Sequence, residues 1–366
     1  MKYNQMEPQF GHEEAMAAYD YIMSGGWLTD FKQTRVFENM IADYVGVEFC
    51  SVVPSGDMAL EIALRALGVG HGDKVLVPDY THPSTAYVVD RVGATVILAD
   101  VDPYTYNMLH NYSSGACKCA AVMCVHINGR LSVLPTFVAA EGIPVVEDAC
   151  QALGSRRRSI HLGTRCHIGV LSFNTFKIIS TGQGGALITN DEYLFGEIKK
   201  IRDFGRTSGR GSEYERLGLN GKFTDLQAVV GIEQMKRLDT RVEAKKRIYG
   251  WYEEILDGVE QVRFIPTNLK DCAPWYIDPL VEKRDELIGH LAQQGIETQP
   301  FYQPIHRLAH YREQTIREGL TDRAVDDQYP GASHIADNGI WLPSSCFLRK
   351  DDVHAICSEI KRFYNK

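Results

Sequence analysis

At 366 residues the chain is longer than one hydrophobic core usually organises, which predicts a large domain with a smaller companion. Its 44% hydrophobic and 23% charged residues are those of an ordinary globular protein, and a net charge of −8 argues against a nucleic-acid partner. No stretch approaches the ~18 apolar residues of a membrane span, and Met1 to Gln5 carries no apolar leader, so the expectation is a cytoplasmic chain without membrane contact.

Ahead of the alternating region the composition is mixed. From Asp57 to Thr189, helix-like and strand-like segments alternate. Met58–Leu67 has a helical period, Lys74–Pro78 reads as a buried strand, Thr85–Val92 as a helix and Thr95–Asp100 as a strand. Further strands are expected at Cys119–Val125, Pro144–Asp148, Val170–Phe173 and Ala186–Thr189. Short apolar runs separated by helices indicate a mostly parallel sheet covered on both faces. Arg156-Arg157-Arg158 reads as a solvated loop. A charged helix follows at Asp191–Arg202, then a mobile Gly- and Arg-rich loop, Phe204–Gly211. Asp225–Leu256 reads as one or two long helices with Lys236, Arg237, Arg241 and Lys245 on the exposed face. Strands and helices resume from Gln261, and the chain ends in an amphipathic helix, Asp351–Tyr364. A domain division inside the long helix gives a large domain over 1–243 and a smaller C-terminal α+β domain over 244–366. The nine cysteines form no Cys-x-x-Cys pair, which predicts reduced, buried thiols and no metal site.

Three pieces in order carry the chemistry: Val145–Gly154 with Asp148, Leu171–Lys177, and Gly182–Ala186. An acidic residue at the end of a buried strand sits at the carboxyl edge, where α/β sheets bind ligands. Pyridoxal phosphate (PLP) chemistry needs these parts. A lysine must bond the cofactor aldehyde, and a carboxylate must keep the pyridine nitrogen protonated as an electron sink. Glycines let the backbone pass close to the ring, and a helix N-terminus suits the phosphate.

With these pieces, several segments resemble the DegT/DnrJ/StrS family of sugar aminotransferases, which has the aspartate-aminotransferase-like fold (fold type I). They are Ser24–Thr29, Phe37-Glu38, Tyr44–Val47, Gly295–Phe301 and Trp341–Pro343. The resemblance implies that Lys177 holds PLP and acts as general acid and base. It places Asp148 against the pyridine nitrogen, Gln151 near the ring hydroxyl and Ser172 on the phosphate. Pro54–Leu60 resembles the family's phosphate cradle at Gly56, but Asp57 stands where the family has Thr. A carboxylate there is repelled by phosphate, so Asp57 is expected to turn away and cap its helix, the alternative being a bridging cation. His82 falls where the family stacks an aromatic ring on the cofactor.

Leu217–Ala228 resembles a loop that crosses into the neighbouring subunit, so Asn220 is expected to reach the partner's phosphate in a homodimer with shared active sites. Lys222, a substrate-site candidate, replaces the family's Arg and loses its planar fork. Trp27, Leu28 and Thr29 are further candidates for the sugar site, the alternative being that Trp27 packs the N-terminal arm. His126 and His306 match family positions, as substrate contacts or as satisfied structural histidines. The presence of Lys177 separates the chain from the family's dehydratase branch, where histidine stands at that position. The resemblance implies amino transfer from an amino acid, L-glutamate, to a nucleotide-linked keto-sugar, at C-4 of a 4-keto-6-deoxyhexose. The rivals are C-3 amination, a cyclitol substrate and a non-catalytic PLP-binding regulator.

Overall fold

The computed structural model describes residues 2–110, 118–207, 213–317 and 321–365. The chain opens with α1 (His12–Met23) and α2 (Lys32–Val45), then β1 (Phe49–Val53), α3 (Gly56–Ala66), β2 (Lys74–Pro78), α4 (Ser84–Arg91) and β3 (Thr95–Ala99). Next come β4 (Ala121–Val125), α5 (Thr136–Glu141), β5 (Val145–Asp148) and a small hairpin of β6 (Arg156–Arg157) and β7 (Ile160–His161). The central region closes with β8 (Ile168–Ser172), β9 (Gly185–Thr189) and α6 (Glu192–Arg202). Two helices follow, α7 (Asp225–Met235) and α8 (Leu238–Leu256). The remainder holds β10 (Val262–Arg263), β11 (Leu280–Val281), α9 (Arg284–Gln293), β12 (Gln299–Pro300), α10 (Ala309–Arg317), α11 (Asp322–Asp326), α12 (Pro330–Asn338), β13 (Ile340–Trp341) and α13 (Lys350–Tyr364).

Seven strands form one sheet in the order β1-β9-β8-β5-β4-β2-β3. The pairs from β8 through β5, β4 and β2 to β3 are parallel; β9 runs antiparallel to both β8 and β1. The strand period of two explains the two covered faces. Val75 and Val77 join the core under α3 and α4, whereas Leu76 between them joins the core under α5. Strand β1 was not expected from the sequence, and it closes the sheet edge beyond β9. A separate core gathers Ile248, Tyr252, Leu287, Leu291, Val353 and Ile356 from α8, α9 and α13. The N-terminal arm joins it, with Lys2 N–H donating to Gly295 O at 2.7 Å.

Several expectations need correction. Arg241 and Lys245 are buried, at 7% and 2% exposure, instead of lying on a solvated face. Backbone carbonyls explain it: Arg241 donates to Gln9 O and Ile178 O, and Lys245 to Trp275 O and Ser344 O. Helical periodicity cannot report partners that come from distant loops. The basic run is partly a hairpin, in which Arg156 lies over the Tyr44 ring and donates to Tyr44 O at 3.0 Å. Of the Gly- and Arg-rich loop, Ser208 to Gly211 lie outside the described residues. Arg206 pairs with Tyr214 across a single bridge. Seven cysteines are free thiols, but Cys119 is disulfide-bonded, against the expectation of reduced thiols throughout. Among the described residues no group of side chains could hold a metal ion, and no helix is long and apolar enough to cross a membrane.

The loop after β4 is tied to the segment before β11 by a buried ion pair. Arg130 donates to Asp278 through Nη1 at 2.6 Å and Nη2 at 2.8 Å, and also reaches Tyr249 and Thr267. Removing one member of such a pair strands a buried charge. Arg130→Leu is expected to lower stability by about 3–5 kcal/mol. The check is the urea midpoint of the variant compared with wild type at unchanged slope.

Candidate active site

The carboxyl ends of β2, β5 and β8 open on one cavity of about 340 Å³ that contains Gly56, Asp57, His82, Asp148, Gln151, Ser172 and Lys177. Strand β5 ends at Asp148, which is 5% exposed. Its carboxylate is aimed by two donors: Thr85 Oγ1 at 3.0 Å and the Cys150 N–H at 3.1 Å. Lys177 lies in the turn after β8, where its N–H donates to Asn174 O. Burial pulls its amine down to about 8, against the opposing pull of Cys150 and Asp148. The amine rests 3.3 Å from the centre of the Trp275 ring.

Ser55 caps α3, its Oγ accepting from Met58 N–H at 3.0 Å. The N-terminus of α3 begins at Gly56, beside Ser172, and a helix N-terminus is suited to an anion. A Cβ on Gly56 would lie 3.0 Å from Ser172 Cβ and 3.1 Å from Cys150 Sγ, so a side chain there would fill the cradle. Asp57 does not cap the helix, since Ser55 holds that place, and it still lines the cavity. Its carboxylate pairs with Arg91 at 2.5 Å.

Gln151 is held by the Asn128 N–H, which donates to Oε1 at 2.8 Å. His82 opens on the cavity, its ring edge-on to Tyr302 at 5.4 Å. Burial and the neighbouring Lys177 lower its proton affinity, and Nδ1 accepts from Ser84 N–H, so it stands there as neutral imidazole.

The other two histidines are satisfied structurally. His126 donates from Nε2 to Glu147 at 2.9 Å while Nδ1 accepts from Ser132 N–H. His306 is 3% exposed between Asp79 at 2.6 Å and Asp326 at 2.8 Å. Burial works against its charge, but the two carboxylates outweigh it and raise its pKa.

Trp27, Thr29 and Lys222 do not line this cavity; they line a second one, of about 860 Å³, between the N-terminal arm and α6. Trp27 is 68% exposed, and Lys222 pairs with Asp203 at 2.8 Å. Asn220 is exposed and bridges to Asp203. Sequence reasoning missed Thr85, Trp275, Tyr276 and Tyr302, which line the first cavity. Thr85 had a usable signal, being at the start of a helix at the sheet's carboxyl edge. The three aromatics had none, since only the fold returns their loops to Lys177.

A buried amine, a fixed carboxylate and a helix N-terminus around one cavity form a set that few chemistries use. A model of the DegT/DnrJ/EryC1/StrS aminotransferase family matches residues 9–361. The chain belongs to this family. It is 32% identical over 359 residues to the GDP-perosamine synthase of Caulobacter vibrioides, covering 93% of this chain and 94% of that protein. It is 30% identical over 339 residues to the GDP-perosamine synthase of Escherichia coli O157:H7, covering 90% and 89%. The structure of a DegT DnrJ EryC1 StrS aminotransferase from Brucella abortus has 26% identity and a TM-score of 0.86, covering 97% of this chain and 96% of the other.

This enzyme is thus a PLP-dependent sugar aminotransferase with the aspartate-aminotransferase-like fold. Its cavity fits the cofactor. Lys177 would bond the aldehyde, Asp148 would face the ring nitrogen, and Gly56 with Ser172 would hold the phosphate. A Cβ at Gly56 would crowd Ser172 and Cys150 and fill that space.

Proposed function

We propose that the enzyme moves an amino group from L-glutamate to C-4 of a nucleotide-linked 4-keto-6-deoxyhexose, as a homodimer whose active sites are shared. The amine of Lys177, held inside a cavity beside Asp148, is the observation that carries amino transfer. PLP, when bound, supplies an electron sink that stabilises a carbanion at the amino-acid Cα. Lys177 moves the proton between that Cα and C4′ of the cofactor, and serves as base and acid from one position. Asp148 keeps the ring nitrogen protonated, and Gln151 meets the ring hydroxyl.

The choice of sugar rests on the two perosamine synthases, whose names specify a GDP-linked amino sugar. The dimer rests on where these residues lie in their own chain: Trp27, Thr29 and Lys222 line a separate opening, and Asn220 does not line the cavity of Lys177. A second copy would bring that surface to the first cavity, with Asn220 at the phosphate and Lys222, Trp27 and Thr29 at the sugar nucleotide.

The test is absorbance of the purified holoenzyme during titration with glutamate, followed by a panel of GDP-, UDP- and dTDP-linked 4-keto and 3-keto sugars. The cofactor band is expected to be lost with glutamate and restored by a 4-keto sugar. Restoration by a 3-keto sugar alone would move the aminated carbon to C-3. No response to any nucleotide sugar after a response to glutamate would favour a cyclitol ketone.

A further inference from the structure

We infer that Trp275 is the positioning residue of Lys177, its indole face being the place where the Lys177 amine rests whenever it is not bonded to cofactor. The inference rests on the assignment of Lys177 as the base of amino transfer. Between the two half-reactions that amine is free, and it must return to the same place to deliver its proton. The Lys177 Nζ lies 3.3 Å from the ring centre, within the range of a cation–π contact. The same indole donates from Nε1 to Phe176 O at 2.8 Å. Trp275 therefore touches both the backbone just before the lysine and the tip of its side chain. A displaced ring means a displaced amine.

Two further contacts hold the backbone of Trp275. Its N–H donates to Asn128 Oδ1 at 2.8 Å, and that same oxygen accepts from Tyr276 N–H at 2.7 Å. Asn128 Nδ2 returns a bond to Tyr276 O at 2.9 Å. Asn128 has a φ of 51°, a left-handed conformation that asparagine tolerates better than most residues. The second contact is Lys245, whose Nζ donates to Trp275 O at 2.9 Å and to Ser344 O. A buried ammonium without a carboxylate is costly, and Lys245 touches nothing in the reaction. Its position is accounted for if its task is to hold the Trp275 carbonyl.

The charged and titratable groups facing Lys177 are Asp148 and Cys150 from the end of β5, His82 ahead of α4, Asp57 on α3, and Tyr276 and Tyr302. Burial lowers the amine toward about 8. The ring face works the other way, since it favours the ammonium form.

The test reads the protonation of Lys177 directly. The full-length chain, stripped of cofactor, is labelled with trace acetic anhydride across pH 6–11, and the Lys177 peptide is quantified by mass spectrometry. Trp275→Leu keeps an apolar wall but removes the π face, and the labelling midpoint is expected to fall by roughly half to one pH unit. Trp275→Phe keeps a face and is expected to hold the midpoint close to wild type. Lys245→Met frees the Trp275 carbonyl while filling its space, and is expected to lower the midpoint by less; it carries the test if Trp275→Leu does not fold. Midpoints unchanged in all three variants, or raised in Trp275→Leu, overturn the inference. Labelling needs no substrate. A wild-type enzyme that ignores glutamate would thus sink the functional assignment while leaving this result to be read on its own.

Discussion

Lys177→Ala is expected to reduce turnover by roughly 10³-fold or more, with cofactor still bound. General acid–base transfer alone accounts for about 10²–10⁴, and no neighbour can take over the role. His82 lines the same cavity, but its Nδ1 already accepts from Ser84. The other buried lysine, Lys245, is committed to two carbonyls. Cofactor retention should survive because the α3 N-terminus, Ser172 and Asp148 are untouched. The measurement is kcat for the complete cycle together with the PLP released on denaturation. A variant within tenfold of wild type would remove Lys177 from the mechanism. Partial rescue by a small primary amine would show that what was lost is the amine and not the packing.

Asp148→Asn tests the opposite end of the ring. The substitution keeps the shape of the side chain and an acceptor for the Cys150 N–H, and the Thr85 hydroxyl can reverse to accept from the new amide. What disappears is the negative charge, and with it the bias toward a protonated ring nitrogen. A loss of about 10²–10³-fold in the glutamate half-reaction is expected, the scale of removing one preorganised electrostatic partner. Single-turnover rates with glutamate measure it. The melting temperature should stay near wild type, because the variant preserves the hydrogen bonds. A loss of less than tenfold would mean that ring protonation is not controlled from Asp148.

Both residues were legible in the sequence because each is attached to a strong local signal. Asp148 ends an apolar run that could only be a buried strand, and Lys177 follows another within five residues of its end. The helix α3 was readable for the same reason, although its cap was misplaced: Ser55 and Asp57 are both good caps, and Ser55 takes the place while Asp57 pairs with Arg91 across 34 positions. His306 shows the limit differently. Its ring is stacked on Tyr329 and fixed between Asp79 and Asp326, which no local pattern connects.

By itself, then, the sequence determined the alternation of strand and helix, the mostly parallel sheet, and the lysine, carboxylate and glycines at its carboxyl edge. These follow from periodicity and strand ends, which are properties of neighbouring residues. The tertiary structure alone decided that Arg241 and Lys245 are buried, that Lys222 and Trp27 face a different opening from Lys177, and that Trp275 lies against the catalytic amine. Each of those depends on partners thirty or more residues away, or on the packing of a whole surface. Burial and partnership of that kind are set by the assembled chain, because the free energy of a charge or a ring depends on what surrounds it and not on what adjoins it in sequence.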